Sequence, residues 1–230
     1  DSKWSEHVAW QCDEDAYNAS GQKCSAQSML FMHKNWEQDL IPRLIDLASK
    51  RKLKDLDIGP VLTWTNPQMR EHIDSLLKIA GSKLLLGGKE LTNHSIPSVY
   101  GSLEPTALQI PIEAFRTDDF KKITKEVFGP FQIVVVYTDK EIGLVKNALE
   151  KITQNLTAAI VSNDTFFQQD LLANTVNGTT YTGMKARTTG APQNHWFGPS
   201  GDPRSAGIGT PEAIINTWSS HREIIKDVGP

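Results

Sequence analysis

The chain has 230 residues, enough to bury a sizeable core in one large domain or two small ones. It is 39% hydrophobic and 22% charged, with a formal net charge of −3, a balance that gives no electrostatic reason to expect nucleic acid or an anionic membrane as partner. No apolar run approaches the roughly 20 residues a membrane-spanning helix needs, and the opening Asp1-Ser2-Lys3-Trp4 carries no targeting signal, so the chain reads as a piece of something longer.

The first predicted helix runs from about Trp36 to Lys52, with Ile41, Leu44, Ile45 and Ala48 at helical spacing. Asn66-Pro67 opens a second helix as cap and first-turn proline. Its apolar stripe is Ile73, Leu76, Leu77 and Ala80, and Gly81 ends it. Leu84-Leu85-Leu86-Gly87-Gly88 reads as a short buried strand ending in a turn, and an apolar stretch follows from Ala107 to Ile112. Residues 131–137, Phe-Gln-Ile-Val-Val-Val-Tyr, form a β-branched run of the kind buried on both faces. Thr138 and Glu141 make a capping box for a helix that buries Ile142, Val145 and Leu149. Ala158–Val161 is another buried strand, followed by a helix capped by Asn163 or Asp164. This order predicts an α/β fold, a mostly parallel, twisted sheet flanked by helices. From Gly183 to Gly209 Gly, Pro, Thr and Ser dominate, and a loop of that length is usually functional.

Two cysteines, Cys12 and Cys24, are too few for a disulfide framework and suggest a reducing compartment. Glycosylation sequons at Asn18, Asn93, Asn155, Asn163 and Asn177 are read as a coincidence of frequent residue types. Cys12, near Trp10 and the acidic Asp13 and Glu14, reads as a buried small hydrophobe. Cys24 instead follows a glycine turn at Gly21 and adjoins Lys23, whose ammonium would favour the thiolate and so a nucleophile. The six histidines never fall at metal-ligand spacings, so no metal site is expected. No Gly-x-Gly-x-x-Gly fingerprint occurs, so a dinucleotide-binding half is not expected within these residues.

Gly21-Gln22-Lys23-Cys24-Ser25-Ala26 resembles the catalytic-cysteine motif of the aldehyde dehydrogenase superfamily, and residues 125–131, Lys-Glu-Val-Phe-Gly-Pro-Phe, resemble its second signature. Thr189-Gly190-Ala191 followed by Trp196-Phe197-Gly198 resembles the aldehyde-anchor loop of the pyrroline-5-carboxylate branch. The resemblance runs over nearly the whole chain. It implies that residues 1–230 are the catalytic, cysteine-bearing domain of such an enzyme, with the N-terminal NAD-binding domain outside this sequence.

Several assignments follow from that resemblance. Cys24 would attack an aldehyde carbonyl to give a thiohemiacetal, which passes hydride to NAD and leaves a thioester for water to hydrolyse. The backbone N–H at Cys24 would stabilise the oxyanion, while the family's side-chain oxyanion donor and general-base carboxylate lie upstream of the cysteine motif. Glu126 would hold the nicotinamide ribose hydroxyls and Phe128 would pack beside that ribose. The substrate would be glutamate γ-semialdehyde, the open form of pyrroline-5-carboxylate. Ser25 and the amides of Gly190 and Ala191 would hold its α-carboxylate, with Lys23 in the same binding set and Phe197 as a wall. The complete enzyme would be a homo-oligomer in the mitochondrial matrix, with a small-molecule aldehyde as substrate and neither nucleic acid nor membrane as partner.

Each assignment has a plainer counterpart. Glu126 reads otherwise as a solvated surface acid, Phe128 as core, Thr188-Thr189-Gly190 as a turn and Ser25 as a cap for a helix after the cysteine. The chain departs from the family after Phe197-Gly198, where Pro199-Ser200-Gly201-Asp202-Pro203 replaces the second glycine of many relatives. Lys185 and Arg187 lie close by and would help attract a carboxylate, although loop charges are usually just solvated. Two other functions stay open on residues alone: a cysteine hydrolase using Cys24 with His195, and a noncatalytic or oligomer-forming module.

Overall fold

The computed structural model describes residues 2–189 and the isolated positions 215, 222 and 224. Helix α1 (Ser5–Tyr17) leads through a short helical turn to strand β1 (Met29–His33) and helix α2 (Glu37–Lys50). Helix α3 (Asn66–Leu77), strands β2 (Lys83–Leu86) and β3 (Thr106–Gln109), and the short helix α4 (Phe120–Ile123) follow. Strand β4 (Phe131–Tyr137), helix α5 (Ile142–Lys151), strand β5 (Thr157–Ile160), helix α6 (Thr165–Leu172) and strand β6 (Thr179–Thr182) complete the described elements.

The β-branched run at 131–137 became the central strand, as its composition predicted. In the four-stranded sheet, ordered β1-β4-β3-β2, both neighbours of β4 run parallel to it. Its side chains alternate between two cores. Phe131, Ile133, Val135 and Tyr137 join one cluster with Met69, Ile73 and Leu76 of α3 and Val145 and Ala148 of α5. Val134 joins the other, with Val8, Ala9 and Cys12 of α1 and Leu40 and Leu44 of α2. Each fully buried Val or Ile is worth roughly 1.5–3 kcal/mol, so a one-residue slip that swapped the faces would forfeit much of both cores. The result is a helix–sheet–helix α/β layering with mostly parallel strands.

Some expectations need correction. Among the described residues β2 is an antiparallel strand at the edge of the sheet, and Leu84 on it is exposed. The stripe of α3 is Met69, His72, Ile73 and Leu76, while Leu77 and Ala80 face outward. Its cap is Thr65, whose backbone N–H donates to Gln68 Oε1 at 2.9 Å in a capping box. Asn66 turns away to tie two loops: its Nδ2 donates to Glu90 Oε2 (2.8 Å) and Ser102 Oγ (2.9 Å), and its Oδ1 accepts from Ser102 N–H (2.6 Å). Among the described residues the predicted buried strand at 158–161 pairs in parallel with β6, in a second sheet, and only Ile160 of it is buried. Asp164, rather than Asn163, caps α6 by accepting from Phe166 and Phe167 N–H.

Helix α1 leaves no continuous apolar stripe in the sequence, because buried polar residues interrupt its spacing. Gln11, Asp13 and Asp15 all lie in the interior among Val8, Ala9, Cys12 and Ala16. Each is partnered from elsewhere in the chain. Arg51 donates to Asp13 (2.6 Å) and Glu14 (2.5 Å), and Gln11 Nε2 donates to Ala186 O (3.2 Å). Burial pushes the Asp13 carboxyl above its ordinary value despite the guanidinium beside it.

Candidate active site

The cysteine sits where the backbone is tightly constrained. After α1 the chain turns through three consecutive left-handed residues, Ala19 (φ 55°), Ser20 (φ 58°) and Gly21 (φ 64°). For Ala and Ser that conformation is strained, and it persists because side chains pin the turn. Gly59 N–H donates to Ser20 Oγ at 2.6 Å. Gln22 clamps the same neighbouring loop, its Nε2 donating to Pro60 O (2.8 Å) and its Oε1 accepting from Leu62 N–H (3.0 Å).

Cys24 and Ser25 then occupy the middle of a turn closed by Ala26 N–H donating to Lys23 O at 3.0 Å. Cys24 is a free, exposed thiol, and Lys23 and Ser25 are half-buried beside it. No helix follows: the chain extends into β1, which removes the reading of Ser25 as a helix cap. Cys12 behaves as expected of a small hydrophobe. It is 5% exposed, and burial together with the Asp15 charge pushes its thiol up to about 12.

A buried chain of hydrogen bonds fixes the exit of the turn. Gln27 Nε2 donates to Gln132 Oε1 (2.8 Å), Gln132 Nε2 to Tyr17 Oη (2.9 Å), and Tyr17 Oη to Thr106 O (3.2 Å). Gln132 and Tyr17 are fully buried, so each link replaces a group that would otherwise stand unpaired in the core. This ties the segment after Cys24 to β4 and β3.

The second motif meets the first through two glycines. A Cβ placed on Gly21 would stand 2.2 Å from Gly129 O, so the backbones are in direct contact. Cys24 lies three residues after that contact and Glu126 three residues before it. Val61, fully buried, packs against Gly129 and is tied to Gly101 by hydrogen bonds of 2.8 Å in both directions. Glu126 is exposed, yet the surrounding protein desolvates its carboxyl enough to push it above the usual carboxylate range. Phe128 is half-buried and its carbonyl accepts from Thr63 Oγ1 at 3.5 Å. Lys125 lies over the Trp64 ring at 4.6 Å.

Of the third motif, Thr189 is described, whereas Gly190, Ala191 and Phe197, with the rival base His195, lie outside the described residues. Arg187 is no solvated loop charge: it pairs with Asp15 at 2.7 Å. A cavity of about 350 Å³ lined by Asn66, Arg70, Glu90 and Leu103 shares no residue with these segments. Among the described residues no group of three or more His, Cys, Asp or Glu is placed to hold a metal ion, and no helix is long and apolar enough to cross a membrane.

With both motifs in contact around an exposed thiol, the decisive comparison is with the family that the motifs resemble. Residues 5–202 match the profile of the Aldehyde dehydrogenase family. The chain belongs to the aldehyde dehydrogenase family. It is 62% identical over 228 residues to Delta-1-pyrroline-5-carboxylate dehydrogenase 12A1, mitochondrial, of Arabidopsis thaliana, covering 98% of this chain and 41% of that protein. A probable aldehyde dehydrogenase of Linum usitatissimum is 60% identical over 227 residues, with the same coverage of each chain. The chain therefore spans about two fifths of the length of these curated relatives. Among solved structures, a Proline Utilization A mutant of Bradyrhizobium japonicum aligns with a TM-score of 0.70 at 23% identity, over 90% of this chain and 20% of that one. Aldehyde dehydrogenase 21 of Physcomitrella patens aligns with a TM-score of 0.67 at 18% identity, over 88% and 39%. At these identities the two structures speak for the aldehyde dehydrogenase fold.

The residues that the sequence left unassigned are the supports: Gln22, Gln27, Gln132, Tyr17 and Asp15. Nothing in their local sequence marks them, since each acts on a segment distant along the chain.

Proposed function

We propose that this chain carries the catalytic segment of an NAD-dependent aldehyde dehydrogenase that oxidises glutamate γ-semialdehyde, from pyrroline-5-carboxylate, to glutamate in proline catabolism. The name of the Arabidopsis relative, at 62% identity, supports that substrate and a mitochondrial location. The observation that carries the reading is the contact of Gly21 with Gly129, which packs the exposed Cys24 turn against the Glu126–Phe128 segment.

Cys24 is the nucleophile. Its sulfur bonds to the aldehyde carbon, and the backbone N–H at Cys24 donates to the oxyanion that forms. A partly desolvated carboxyl at Glu126 and a half-buried ring at Phe128 fit a ribose, whose hydroxyls need an acceptor and whose sugar face needs an apolar neighbour. Glu126 and Phe128 would hold NAD there, and the bound cofactor would supply the hydride acceptor for oxidation of the carbon attached to Cys24. Ser25, with Lys23 beside it, serves the α-carboxylate together with the amides of Gly190 and Ala191, and Phe197 walls the aliphatic chain. The family's assembly into homo-oligomers extends to the complete enzyme.

The test uses an enzyme of the relatives' full length carrying this sequence. Cys24→Ala should abolish NADH formation from glutamate γ-semialdehyde, and the parent enzyme should show a thioester-mass adduct on Cys24. Retained turnover in Cys24→Ala would sink the assignment. In the same enzyme, Ser25→Ala should impair glutamate γ-semialdehyde far more than propanal.

A further inference from the structure

We propose that Trp64 is a positioning residue for the cofactor: its ring holds the Lys125 ammonium away from the Glu126 carboxylate and so keeps that carboxylate open to the ribose hydroxyls. The proposal rests on the reading of Glu126 as ribose acceptor given above. Lys125 Nζ lies 4.6 Å from the centre of the Trp64 ring, within reach of a cation–π contact, and the indole is the strongest such partner among aromatic side chains. Lys125 and Glu126 are adjacent in the chain and both are exposed. It is nevertheless His72 that feels the Lys125 charge: burial first, and then that charge, lowers the imidazole, whose ring centre is 5.6 Å from that of Trp64. Desolvation, not a neighbouring charge, is what shifts the Glu126 carboxyl.

The ring that holds Lys125 is itself fixed. Trp64 packs against the core cluster that contains Met69, Ile73 and Phe131. Gly101 backs its main chain, since a Cβ there would stand 2.5 Å from Trp64 O. Thr63, beside it, donates to Phe128 O, two residues beyond Glu126. The other end of the same loop is tied to the nucleophile turn, Gly59 to Ser20, and Pro60 and Leu62 to Gln22. The loop at 59–64 thus braces the Cys24 turn at one end and sorts the charges of the second signature at the other. The sorting matters because a partly desolvated carboxylate attracts an ammonium more strongly than one in bulk water does, and each lone pair so taken is lost to a hydroxyl.

In an enzyme of the relatives' full length carrying this sequence, Trp64→Met keeps an adaptable apolar side chain against the core but frees Lys125. The dissociation constant for NAD, measured by calorimetry, should rise about fivefold, the scale of an exposed cation–π contact or ion pair, while kcat at saturating NAD stays within about twofold. Adding Lys125→Met to that variant should bring the affinity back to within about twofold of the parent, which a loss of packing alone would not allow. If Trp64→Met does not fold, a ring-fluorinated tryptophan at position 64, which keeps the shape and weakens the π face, carries the same expectations. A double variant that binds NAD as weakly as Trp64→Met, or an affinity unchanged when the π face is weakened, would overturn the proposal. Glu126→Gln binding NAD as tightly as the parent would instead overturn the ribose reading itself.

Discussion

Gly21 and Gly129 touch backbone to backbone, and that contact joins the two signature segments of this chain. A Cβ on Gly21 would stand 2.2 Å from Gly129 O and 2.7 Å from Ala16 O, on a residue already at φ 64°. Gly21→Ala should therefore lose stability by about 2–4 kcal/mol, seen as a melting temperature lower by roughly 5–15 °C. Gly143→Ala is the control, since nothing lies within 4 Å of a Cβ there and α5 should gain slightly from alanine. Equal effects of the two substitutions would contradict the close packing of the signatures.

The two thiols should separate cleanly on alkylation. Cys24 is exposed, whereas Cys12 is buried and its thiol is pushed up to about 12, so little of its thiolate exists at neutral pH. Iodoacetamide at pH 7.5 should label Cys24 first, with Cys12 labelled only under denaturing conditions. Peptide mapping that put Cys12 ahead would refute the packing of α1 against the sheet.

His72 should make the fold acid-sensitive in a defined window. It lies between Trp64 and Phe131, and its Nε2 has no hydrogen-bond partner among the described residues. Burial, helped by the Lys125 and Lys122 charges, lowers it from 6.5 to about 4. The unfolded chain thus binds this proton more readily, so stability is full above about pH 6.5 and falls as pH drops toward 4, by about 3 kcal/mol in all. His72→Gln should be less stable at pH 7, for its buried amide, yet lose less between pH 7 and 4. Parallel denaturation curves for both proteins across that range would count against it.

Glu126 should act with the opposite sign. Desolvation raises its carboxyl, so the folded chain holds the proton more tightly than the unfolded one. Its contribution is most favourable below an ordinary glutamate value of about 4.3 and declines as pH rises through the raised value. Glu126→Gln should therefore gain on the parent in unfolding free energy between pH 4 and pH 7, while losing NAD affinity in the full-length enzyme. A stability gap that narrows with rising pH would be the contrary result.

Strand β4 was legible because a central strand between two cores is apolar on both faces, and six of its seven residues show it, Gln132 being the exception. The capping box of Thr138 and Glu141 was equally local. Asn66 misled for a physical reason. Its side chain suits a cap, but the tie to Ser102 and Glu90 uses all its polar atoms, leaving Thr65 and Gln68 to cap α3. Leu84 and Leu77 look like core in sequence, yet both are exposed among the described residues, one on the edge strand β2 and the other on the outer face of α3.

The sequence by itself determined the family and the strand on which the core is built, and singled out Cys24 as the candidate nucleophile, because motifs and β-branched runs are written in adjacent residues. Only the tertiary structure decided what holds the site together. Gly21 meets Gly129, Gln27 reaches Tyr17 through Gln132, and Asp15 grips residues 187–189 across more than 170 positions of chain. Such partners are chosen by whichever donors the fold brings to a buried acceptor, and no local pattern records that choice.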